Sequence, residues 1–84
     1  MFPDKATYED IDAVLDKLSD ARQGMVKAGR FDGSVASVER ELEDLKKVPF
    51  GSELRNVLFM KDYAFQTFDQ FVDMVRQYQS TLSR

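Results

Sequence analysis

The groups in this 84-residue chain able to do proton or electrostatic chemistry are 15 carboxylates, 12 Lys or Arg, hydroxyls and three Tyr, because it contains no His and no Cys. The two side chains most used for proton shuttling and nucleophilic attack are therefore missing. Softer metal sites lose their usual ligands as well. The four Gly fall singly at positions 24, 29, 33 and 51, so no glycine-rich phosphate cradle can form. Four acids, Glu9, Asp12, Asp16 and Asp20, are spaced to share one side of a helix. Such a stripe can hold a hard cation, dock a basic partner, or simply be a solvated face. An EF-hand would need its ligands in a loop closed by a bidentate Glu, and none is present. No catalytic constellation emerges, and the expectation is a non-enzymatic protein with no cofactor, metal or small-molecule substrate.

Ser34 is the one hydroxyl in a suggestive setting. Asp32-Gly-Ser-Val35 opens an acidic helix, and Val38 follows four residues after the Ser. This weakly resembles the phosphopantetheine site of acyl and peptidyl carrier proteins, and Phe65-Gln-Thr-Phe-Asp-Gln-Phe-Val-Asp-Met-Val75 is similar to that family's last helix. The resemblance implies that Ser34 carries a prosthetic arm and that the following helix meets partner enzymes. The family places Asp directly before the Ser, whereas Gly33 intervenes here. A helix N-cap accounts for the same Ser without a cofactor.

The elements that must position these groups are helical. Thr7-Tyr-Glu-Asp10 is a capping-box start, and Ile11, Val14, Leu15, Leu18, Ala21, Met25 and Ala28 recur with helical period. Gly29 supplies a C-terminal stop. Asp32-Gly33 marks a turn, Ser34 caps a second helix, and Val35, Val38, Leu42 and Leu45 form its seam. Arg40–Asp44 and Glu43–Lys47 are spaced as supporting i,i+4 pairs. Val48-Pro49 ends that helix, Phe50 anchors the loop beneath the bundle, and Ser52 caps a third helix.

The final third carries more apolar surface than one helix face can hold. Leu54, Leu58, Phe65, Phe68, Val72, Val75 and Leu82 repeat at heptad spacing, Val57, Ala64, Phe71 and Tyr78 widen the stripe, and Phe59, Met60, Tyr63 and Met74 project elsewhere. The pattern predicts an all-α, antiparallel three-helix bundle forming a single domain, with helices at about 7–28, 34–48 and 52–82. Their lengths come to roughly 33, 20 and nearly 50 Å. An unbroken third helix then overhangs its neighbours, leaving Phe71, Val75, Tyr78 and Leu82 for a partner, with Phe59, Met60 and Tyr63 as a second contact face. The competing expectation is a break near Gln66-Thr67, because Thr67-Phe-Asp-Gln70 is itself a capping box; this gives four helices.

A net charge of −3, mixed along the chain, argues against binding the phosphate backbone of a nucleic acid. Residues 38–59 can be drawn as a helix-turn-helix with Lys46, Lys47 and Arg55 near the turn, but its second helix is too apolar to meet base edges. No run reaches membrane-spanning length and no signal-peptide pattern opens the chain. With no Cys, a cytoplasmic setting is expected. Function by class follows: an adaptor, inhibitor or assembly subunit that binds a protein or a second copy of itself through its C-terminal helix, the acidic stripe steering approach. A carrier modified at Ser34 and a helical nucleic-acid binder are the alternatives.

Overall fold

The computed structural model describes residues 5–30, 33, 38–60 and 67–82. Among them the chain is all-α, with helices α1 (Tyr8–Lys27), α2 (Gly51–Leu58) and α3 (Phe68–Ser80), and a 3₁₀ helix (Arg40–Lys47) between α1 and α2. No strand occurs among the described residues, and none of these helices is long and apolar enough to cross a membrane.

Both ends of α1 form as the sequence dictates. The Thr7 hydroxyl accepts the Asp10 N–H at 3.2 Å while the Asp10 carboxylate accepts the Thr7 N–H at 3.1 Å, a complete capping box. At the other end Gly29 takes φ +69°, the Gly29 N–H donates to Val26 O and the Arg30 N–H to Met25 O. This is a Schellman stop, and it satisfies carbonyls that the last turn would otherwise orphan.

The helix expected over 34–48 is corrected in type over part of its length, since Val38 is α-helical and the tighter winding starts at Arg40. Ser34 lies outside the described residues; from Arg40 to Lys47 the backbone is 3₁₀ rather than α. Its ion pairs follow the tighter winding: Lys46 to Glu43 at 3.3 Å and Lys47 to Asp44 at 2.9 Å, both i,i+3. Val48, before Pro49, is extended as the proline requires. The start of α2 is corrected too. The residue before the helix is Phe50, not Ser52, and it sits in the left-handed region at φ 62°. The turn is forced by close approach, since a Cβ on Gly51 would lie 1.7 Å from Leu45 O. Phe50 itself packs half-buried against the core, the anchoring role expected of it.

The long third helix does not exist as one piece. α2 ends at Leu58, and α3 starts afresh after Thr67, whose hydroxyl accepts the Gln70 N–H while the Gln70 side-chain carbonyl accepts the Thr67 N–H, each at 3.2 Å. The capping box read from the sequence thus marks a true helix start, and the four-helix alternative holds. A straight helix could not bring its far end back; the break lets Phe68, Phe71 and Val75 reach the core, where each is 0 % exposed.

α1 is the axis of the assembly. α3 runs antiparallel along one flank: Gln79 near its end meets Tyr8 and Asp12, and Asp69 at its start meets Arg22. The 3₁₀ helix runs antiparallel along another flank, where Arg30 pairs with Glu41 at 2.8 Å. α2 turns back along the 3₁₀ helix, and Arg55 reaches Glu43 and Glu39 O. The Phe68 N–H donates to Gly33 O at 3.1 Å and ties the start of α3 to the loop after α1. Ile11, Val14, Leu18 and Met25 from α1 close the core against Val38, Leu42, Leu45, Leu54 and the α3 aromatics.

Candidate functional site

On an ideal helix with about 100° per residue, Glu9, Asp12, Asp16 and Asp20 fall within an ~80° sector. The buried residues Ile11, Val14, Leu18 and Met25 point the opposite way. All four acids are exposed, so the stripe is the outward face of α1. Its members are not equivalent. Asp12 accepts a hydrogen bond at 3.3 Å from Gln79 Nε2, which also donates to Tyr8 O. Asp12 and Asp16 line an open groove of about 500 Å³ between α1 and α3, opposite Arg76. Asp20 instead borders the cleft toward the 3₁₀ helix with Lys17, Glu41 and Asp44. There the Lys47 ammonium hydrogen-bonds the Asp44 carboxylate and adds its charge, holding Asp44 below the usual carboxylate range. Among the described residues no three metal-ligating side chains gather into a cation site.

The expected partner surface on the C-terminal helix is corrected. Phe71 and Val75 are fully buried; with Phe68 and Gln79 they form the inward line of α3, spaced i, i+3, i+7 and i+11. Tyr78 and Leu82 are partly buried and pack against that core. The residues assigned to an overhang are what α3 uses to hold α1. Gln79 stands on this apolar line because its amide finds acceptors on the first turn of α1, the requirement for burying a polar group.

The second expected contact face fares differently. Phe59 is half-buried and Met60 is 38 % exposed at the C-terminal end of α2; Tyr63 lies outside the described residues. The Arg55 guanidinium lies 5.2 Å from the Phe59 ring centroid, a cation–π arrangement. The same guanidinium pairs with Glu43 at 3.1 Å, and only 13 % of the Arg55 side chain is exposed. Its Nε is buried with no hydrogen-bond acceptor. Sequence reasoning treated Arg55 only as a charge near a turn. Its i,i+4 relation to Phe59 on α2 was the available signal. Val26, 57 % exposed on α1 beside Arg22, Gln23 and Lys27, was also not singled out. It stands outside the apolar period of α1, about 100° round from Met25, and that offset was the available signal. Comparison with known proteins found no matching family model, no similar curated protein and no similar solved structure.

Proposed function

We propose that this chain is a small non-enzymatic protein–protein interaction module whose contact is centred on Phe59 and Met60 at the end of α2. One observation carries the reading. Among the described residues Met60 and Val26 are the only large hydrophobics that count as exposed, and only Met60 adjoins a partly exposed aromatic stacked on an arginine. Phe, Met and Arg are the side chains enriched where interfaces concentrate their binding energy. The outward acids of α1 supply long-range attraction for a basic surface. The cytoplasm is the compartment this reading expects.

The test is an intact mass under non-denaturing conditions on protein taken from its native cell, for wild type and Met60→Asp. A complex with a second chain, lost in Met60→Asp at unchanged melting temperature, is the expected result. Wild type that stays a monomer, or a variant that keeps its partner, refutes the proposal.

A second reading, a carrier modified at Ser34, has its own support. Gly33 just before it is pinned to the start of α3 through Phe68, and Val38 four residues on is 0 % exposed. The described residues on either side of Ser34, Gly33 and Val38, are thus both held against the bundle. The same mass measurement decides: an added phosphopantetheine mass that Ser34→Ala abolishes establishes this reading, and an unmodified chain removes it.

A further inference from the structure

The groove between α1 and α3 presents hydrogen-bond acceptors that the fold does not use. Gln79 lines it and is 7 % exposed. Its Nε2 is occupied by Tyr8 O and Asp12 Oδ1, each at 3.3 Å, while its Oε1 accepts nothing among the described residues. An acceptor shut in the core without a partner is costly, yet among the described residues the one such buried side-chain atom is Arg55 Nε. Gln79 Oε1 is therefore open to solvent, and the opening beside Gln79 is this groove.

The neighbouring side chains extend the same inventory. Asp16, one turn after Asp12 on the rim, forms neither a hydrogen bond nor an ion pair among the described residues. The same holds for Arg76 on the α3 wall. The two face each other across about 500 Å³ without pairing. Asp12 keeps an oxygen beyond the one that Gln79 uses. Tyr8 and Leu15, both half-buried, supply the apolar part of the lining.

A guest matched to these walls has clustered N–H donors, a slender apolar stem and a negative charge close behind. A guanidinium consists only of donors, set in a planar fork that matches carboxylates, and its stem can lie along Leu15 and Tyr8. An ammonium is a compact point charge and does not bridge several acceptors in the same way. With two carboxylates against the single Arg76, the groove is negative and admits a cation. Arg76 then remains for a carboxylate beside that cation.

We propose that this groove receives an arginine side chain of the partner protein, its guanidinium between Asp12, Asp16 and Gln79 Oε1, with an acidic residue next to that arginine meeting Arg76. The proposal rests on the function proposed above for the existence of a partner. It gives the acidic face of α1 a direct contact where that reading gave it long-range attraction. Asp20, on the same face but bordering the cleft toward the 3₁₀ helix, takes no part.

The test is NMR of the full chain, titrated with the capped dipeptide N-acetyl-Arg-Glu-amide. The Gln79 side-chain amide should shift and saturate in the millimolar range, and capped Lys-Glu and Arg-Gln should bind more weakly. Asp16→Asn should weaken binding by about two- to fivefold, the range of a half-open ion pair, at unchanged melting temperature. Asp20→Asn should not weaken it. Arg76→Met should abolish the preference for Arg-Glu over Arg-Gln. A Gln79 amide that does not shift, or equal binding of Arg-Glu and Lys-Glu, overturns the proposal. So does an equal loss in Asp16→Asn and Asp20→Asn, the mark of general attraction to an acidic face. Met60→Asp should leave the titration as in wild type, so a failure of the contact at Met60 and a failure of this groove are read separately.

Discussion

Replacing Phe71 with Ala separates a core residue from a binding residue. Phe71 is 0 % exposed on the inward line of α3 and forms part of the core that α3 closes against α1. Phe→Ala at such a site costs about 3–5 kcal/mol, the lost transfer energy plus the cavity left behind. At about 0.05–0.15 kcal/mol per residue, the 84-residue chain has a total stability of roughly 4–13 kcal/mol. The substitution therefore removes a large share of it, and at the lower end of that range it unfolds the protein. For a domain of this size each kcal/mol moves the midpoint by about 4–8 °C, so a drop of roughly 12–40 °C is expected. The assay is far-UV circular dichroism against temperature, at two protein concentrations so that any contribution from association shows. Phe59→Ala, where the ring is half-buried at the end of α2, serves as the internal comparison and should lose much less. A Phe71→Ala midpoint within 5 °C of wild type, with loss of a complex, would refute the folded-back arrangement. It would restore Phe71 to an interface on an unbroken helix.

Gly51→Ala should lower the melting temperature, because its Cβ would sit 1.7 Å from Leu45 O and 2.8 Å from that carbonyl carbon. Overpacking of this kind costs about 1–3 kcal/mol, and a gain in stability from better helix propensity would show that the turn at Phe50 is not as tight as described. Lys47→Met should raise the Asp44 carboxyl pKa toward its ordinary 3.8, read by NMR titration, since the Lys47 hydrogen bond and charge are what depress it. A folded pKa below the unfolded one means that the pair's contribution is present above pH 3.8 and is lost as pH falls through the folded value. Acid sensitivity from this pair therefore belongs below pH 3.8 and not near neutrality.

How legible each element was in the sequence depended on whether its signal was local. The Thr7 and Thr67 boxes, the Gly29 stop and the Val48-Pro49 terminus are each set by a few adjacent groups, and each appears in the structure as the residues imply. The winding of 40–47 was not legible, because Leu42 and Leu45 face the core in either helix type and the residues around them are mostly good α-helix formers. Ser52 failed as a cap for a similar reason. Leu45 O crowds the chain one residue earlier, and a reading of the cap alone does not include that contact. Periodicity from Ala64 to Val75 could not report the break, since a helix that stops and restarts in phase leaves the same pattern.

The misplaced binding surface follows from that last point. Treating 52–82 as one helix made the surplus of apolar residues look like an overhang, and helix length then demanded a partner to cover it. Once the chain turns back, the same residues are the partner: Phe68, Phe71 and Val75 fill the flank of α1 that a second protein would have had to fill. The acidic stripe on α1 was legible because it needed only the period of one helix and the knowledge of which side was apolar. What remains for an interaction is the residue set that the fold-back does not consume. Among the described residues this includes Val26 on α1 and the end of α2, where Phe59 and Met60 stand beside Arg55. For the proposed interaction this puts the most informative substitution at Met60 rather than at the buried Phe68, Phe71 or Val75 of α3.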